Sequence, residues 1–144
     1  MSNYLWLIYA LLAAITAALV AILGKIGLQT IDVNIATAIR AIIMALFLFF
    51  VVVIQGKFAQ ISTILDNKKA LLFIILSGIV GALSWLFYFL ALKHGKVSQV
   101  VPVDRSSVVI ATVLAIIFLG EKLSFLNQVG IIFITAGVII MAFG

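Results

Sequence analysis

The chain has 144 residues, of which 67% are apolar and only 9% charged, with a mean hydropathy of +1.45. Soluble domains carry about a quarter charged residues, so this composition excludes a water-soluble globular protein. The formal charge of +5 comes from lysines and arginines scattered singly near the ends of apolar runs. That pattern matches lipid headgroups and snorkelling side chains, and it lacks the one-faced clustering that nucleic acid requires.

Five apolar runs follow in chain order: Tyr4–Leu23, Val33–Ile54, Ala70–Leu92, Val97–Leu119 and Phe125–Phe143. A bilayer core about 30 Å thick needs about 20 helical residues to span it, so each run is long enough to cross. Unpaired backbone groups are not tolerated in hydrocarbon, and strand alternation is absent; the expected fold is therefore all-α, a polytopic membrane protein with five transmembrane helices in one domain over residues 1–144. No Lys or Arg precedes Lys25, and the first run exceeds an ordinary signal-peptide core of about 7–15 residues, so helix 1 is expected to stay in the mature protein.

An odd number of spans puts the termini on opposite sides. With side A holding the N-terminus, the Lys57, Lys68, Lys69 and Lys122 positions lie on A, and Lys25, Lys93 and Lys96 lie on B. Cytoplasmic loops carry the excess of Lys and Arg, and four against three places the N-terminus in the cytoplasm with almost no bias. The balance points to dual topology, in which one sequence inserts both ways and forms an antiparallel homodimer. The alternative is that one small bias orients every copy alike. Small residues at Ala13, Ala17 and Ala21, at Ser77, Gly81 and Ser84, and at Gly130 and Gly137 suit close helix packing.

Charge breaks the apolar runs at two places. Arg40 and the Asp104–Arg105 pair each lie about seven or eight residues into helices that start on side B, about 10–13 Å below that surface. Trp85 and Tyr88 fall at a similar depth near the side-B end of helix 3, and Thr16 and Ser106 add hydroxyls. A charge at such depth costs about 2.5–3.5 kcal/mol on insertion scales and tends to face a cavity or a transport path. One Asp balances one Arg; the second Arg is left over, which favours an anionic group in the ligand, held by the guanidinium fork. The plainer readings are that Arg40 snorkels, that Trp85 and Tyr88 belong to an interfacial belt, and that Thr16 and Ser106 bond their own helix. Pro102 removes the backbone bond to the Ser98 carbonyl and is expected to kink helix 4, a candidate hinge.

Nothing points to enzymatic chemistry. His94 stands among lysines in a loop, there are no cysteines, and no metal-binding or phosphate-binding motif is present, so no metal or cofactor is expected.

The stretch Phe118-Leu119-Gly120-Glu121-Lys122-Leu123-Ser124, followed by Gly130 and Gly137, resembles the end of an EamA-type repeat of the drug/metabolite transporter superfamily. Lys25-Ile26-Gly27-Leu28 and Arg40 also fit that repeat. Pro102-Val103-Asp104-Arg105-Ser106-Ser107 resembles the helix 4 motif of its single-repeat, five-helix members in bacteria and archaea. The resemblance covers essentially the whole chain. It implies a secondary transporter in the cell membrane, one half of a ten-helix inverted-repeat architecture that an antiparallel dimer would rebuild around a central cavity. Arg105 stands where relatives lead one to expect Lys, and Ala17 near where an aromatic is common, so the substrate does not carry over. The expectation is a carrier of a small polar metabolite with an anionic group. Its rivals are a proton-coupled exporter resembling the small multidrug resistance proteins and a non-transporting accessory subunit. Two arginines count against the first.

Overall fold

A computed structural model describes residues 4–143. Its elements are α1 (Leu5–Gly27), α2 (Val33–Ile54), a 3-10 turn at Phe58–Gln60, α3 (Ile61–Asp66), α4 (Lys68–His94), α5 (Val97–Asp104), α6 (Ser107–Leu119) and α7 (Phe125–Phe143). No strand occurs among the described residues. Among the described residues five stretches are long and apolar enough to cross a membrane: α1, α2, α4, α5 with α6 over Val97–Leu119, and α7. Side chains as large as Phe47 and Phe50 are 65% and 62% exposed, which is stable only with lipid against them.

Local sequence explains where the helices begin and end. Asp32 caps α2, its carboxylate accepting from the Asn34 and Ile35 amides at 2.8 and 3.2 Å. Asn67 Oδ1 accepts from the Ala70 amide at 3.1 Å and Ser124 Oγ from Asn127 at 3.3 Å, opening α4 and α7 in the same way. Gly120 closes α6 in the left-handed region at φ +66°, its amide and that of Glu121 turning back to the Ala115 carbonyl. An L side chain strains that backbone by about 1–2 kcal/mol. Gly120→Ala is therefore expected to lower the melting temperature of the purified protein. Gly130→Ala, inside α7 with open space around the added carbon, is expected to leave it unchanged or raise it.

The chain divides into two compact units, Met1–Lys25 with His94–Gly144, and Ile26–Lys93. In the continuous unit, Leu28, Val33, Phe89 and Leu92 are buried. Lys93 Nζ, at the end of α4, donates to the Ile31 carbonyl at 3.2 Å and so ties that end to the turn before α2. Phe58 of the 3-10 turn meets Phe49 of α2 edge to face at 5.8 Å, holding the α2–α4 connection against the helix it leaves. The split unit pairs α7 with both α5 and α6, most extensively with α5. There Lys25 Nζ donates to the Gly95 carbonyl at 2.9 Å, anchoring the end of α1 to the turn before α5.

The fourth span is a helix in two pieces. Pro102 has no amide to give, and beyond it the ladder tightens: Ser106 bonds Val103, Val108 bonds Arg105 and Val109 bonds Ser106, each three residues back. The interruption falls at Arg105–Ser106, one turn after the proline.

Candidate functional site

In the continuous unit α2 and α4 cross in opposite directions, so the early part of α2 lies level with the late part of α4. Arg40 reaches from α2 and lays its guanidinium on the Trp85 ring of α4, the central carbon 3.7 Å from the ring centroid and 5.1 Å from that of Phe89. Such a cation–π contact is worth up to about 2 kcal/mol when desolvated. The rings are themselves locked together. Trp85 meets Tyr88 at 5.6 Å and 90° and Phe89 at 5.8 Å and 69°, and Phe89 is buried. Trp85 is therefore a fixed platform, and Arg40 is a positioned cation.

Beside this pair lies a cleft of about 290 Å³. Thr37, Arg40, Ala41 and Met44 of α2 line one wall, and Gly78, Gly81, Ala82 and Trp85 of α4 the other. Each quartet runs i, i+3, i+4, i+7, the repeat of a single helix face. Thr37 donates its hydroxyl to the Val33 carbonyl at 2.7 Å, so its oxygen keeps only accepting capacity. Among the described residues no hydrogen bond or ion pair is recorded for the Arg40 guanidinium, which faces the Trp85 and Phe89 rings and interacts electrostatically with Tyr88. A cation at this depth with its donors unspent calls for an acceptor, from water or from a ligand.

The remaining expected site residues lie in the split unit. Asp104 is half-buried at the end of α5, Arg105 is exposed in the interruption, and half-buried Ser106 follows it. Pro102 sits inside α5. Thr16 donates to the carbonyls of Leu12 and Ala13 at 2.9 and 3.0 Å, the local bonding expected of a helical threonine. Thus Arg40, Trp85 and Tyr88 are brought together in one unit, and Pro102, Asp104, Arg105 and Ser106 cluster at one helix break in the other. Sequence reading missed Thr37, Ala41, Met44, Gly78 and Ala82. Their signal was the shared i, i+3, i+4, i+7 spacing from Arg40 and Trp85. Gly81 was read as a packing residue, yet a carbon added there meets nothing within 4 Å. No group of His, Asp or Glu able to hold a metal occurs among the described residues.

Five apolar spans and charge held at membrane depth define a multi-pass α-helical membrane protein. The chain belongs to the EamA-like transporter family, which matches residues 4–143, so its class is that of a membrane transporter. It is 38% identical over 137 residues to an uncharacterized transporter in the cobO 3' region of Sinorhizobium sp, covering 95% of this chain and 96% of that protein. It is also 30% identical over 100 residues to an uncharacterized protein of Methanocaldococcus jannaschii, covering 69% of this chain and 70% of that one. No solved structure matches.

Proposed function

We propose that this transporter carries a small polar metabolite bearing an anionic group, by alternating access, as an antiparallel homodimer in the cell membrane. The observation that carries the reading is Arg40, stacked on Trp85 beside an open cleft with its hydrogen-bonding capacity unused. Arg40 holds the anionic group and Trp85 walls the site, with Tyr88, edge-on against Trp85, a further proposed contact. In the split unit, Arg105 is a separate candidate contact on the transport path, with Asp104 orienting it or carrying a proton. Ser106 and Thr16 contribute hydroxyl oxygens, and Pro102 lets the fourth span flex as the site changes sides. The match to the Sinorhizobium relative covers 96% of that protein, which supports the reading of the five-helix repeat as a unit. Two such units in opposite orientations reproduce the inverted repeat of larger carriers.

Uptake of a labelled panel of amino acids, carboxylates and phosphate esters into proteoliposomes tests the reading. Wild type is expected to accumulate at least one anionic member. Asp104→Asn and Arg105→Ala are expected to lose uptake by about tenfold or more while dimerisation persists. Wild-type rates in both variants would remove these residues from the path, and no uptake of any anionic member of the panel would count against an anionic cargo.

A further inference from the structure

The shape and chemistry of the α2–α4 cleft narrow the cargo further, resting on the transport reading above. Only one lining residue, Arg40, is charged. A single acidic group neutralises it; a second would stand uncompensated among alkyl walls at membrane depth, where unpaired charge is expelled. The planar fork of arginine matches a carboxylate's two oxygens.

The opposite end of the cleft has a different character. Met44 and Gly78 lie one helical turn or more deeper than Arg40 and Trp85, toward mid-membrane, and between them the walls are Gly81 and Ala82. Carbons added at Gly78 and Gly81 meet no atom within 4 Å, so the missing side chains widen the cleft here. Met44 is 39% exposed and supplies a flexible, polarizable floor. The volume, about 290 Å³, is at the small end for ligand sites of about 300–1,000 Å³.

We infer that the α2–α4 cleft takes an amphipathic monoanion, a soluble metabolite with one carboxylate-like group at Arg40 and a compact apolar body running along Gly81 and Ala82 toward Met44. A dianion or a fully polar metabolite does not fit this division of surface. Anionic phospholipid shares the chemistry and is the other source of such a group.

The chain has two tryptophans, Trp6 and Trp85, so in a Trp6→Phe background fluorescence reports the cleft alone. The full chain is reconstituted in nanodiscs of zwitterionic lipid and titrated with hexanoate, hexanol and adipate. Hexanoate is expected to shift Trp85 emission saturably, with hexanol and adipate weaker by about tenfold or more. Arg40→Gln is expected to abolish the hexanoate response, and Gly81→Leu to block it by filling the cleft. If Gly81→Leu fails to fold, Ala82→Leu serves. Equal responses to hexanol and hexanoate, or an unaltered response in the filled cleft, would overturn the inference. A shift produced by phosphatidylglycerol in the disc and not by hexanoate assigns the cleft to lipid and overturns it too. Binding without uptake in proteoliposomes would sink the transport reading and leave the cleft assignment standing. Uptake without a response at Trp85 would do the reverse.

Discussion

Arg40→Gln is expected to abolish uptake while leaving the protein inserted and folded. Burying a guanidinium at membrane depth costs about 2.5–3.5 kcal/mol on insertion scales, so removing it does not hinder assembly. What disappears is the stack on Trp85, worth up to about 2 kcal/mol, and every charge-assisted bond to a bound anion, each worth about 1.5–3 kcal/mol. The two structural effects oppose one another and leave stability near its starting value. The ligand effect stands alone, and the apparent affinity is expected to fall by about 10- to 100-fold. Arg40→Lys keeps the charge but not the planar fork, and should retain part of the affinity. Initial uptake rates in proteoliposomes, beside melting temperatures of the same preparations, separate loss of cargo from loss of fold. If Arg40→Gln transports like wild type, Arg40 is a snorkelling residue and no more.

Orientation should respond to one or two lysines. Lys57, Lys68, Lys69 and Lys122 oppose Lys25, Lys93 and Lys96, a difference of one. Lys25 and Lys93 are engaged with backbone carbonyls, so the cleanest edits spare them. Lys96→Gln leaves four against two and is expected to fix the N-terminus in the cytoplasm. Lys68→Gln with Lys69→Gln leaves two against three and is expected to favour the reverse. C-terminal reporters active on opposite membrane faces should both give signal for the wild type, and one should fall silent in each variant. Each fixed form alone is expected to be transport-dead, and co-expression of the two is expected to restore uptake. Wild-type termini all on one side would exclude the antiparallel pair.

The ease with which the spans were read reflects how few solutions lipid permits. Val33–Ile54 and Phe125–Phe143 coincide with the apolar runs, because Asp32 and Ser124 supply cap chemistry at the boundary itself. Elsewhere helix and hydrophobicity part company. α1 continues past Leu23 to Gly27, and α4 runs from Lys68 to His94, because lysines extend a helix into the headgroups as readily as leucines do in the core. The 3-10 turn and α3 in the α2–α4 connection went unread, being too short for a periodic signal and tethered by the Phe49–Phe58 contact. A kink was expected at Pro102; the helix runs on through that residue, and its interruption lies downstream at Arg105–Ser106. Depth placed Arg40 and Trp85 at one level; azimuth, which decides whether they touch, depends on how two helices face each other and cannot be had from counting residues along either one. The matched quartets Thr37–Arg40–Ala41–Met44 and Gly78–Gly81–Ala82–Trp85 hold that information jointly, and it becomes legible once the two faces are paired.

That the cleft beside Arg40 is wet and admits an anion can be measured directly, because the chain contains no cysteine and single thiols can be introduced cleanly. Ala41→Cys and Ala82→Cys place a thiol on each wall, and Leu46→Cys, at a side chain 64% exposed on the face of α2 turned away from the cleft, is the control. An anionic, membrane-impermeant methanethiosulfonate reagent is expected to modify both cleft positions, more slowly when hexanoate is present, and to leave Cys at position 46 untouched. Cleft thiols as inert as the control would mean a dry, lipid-filled groove and would contradict the account.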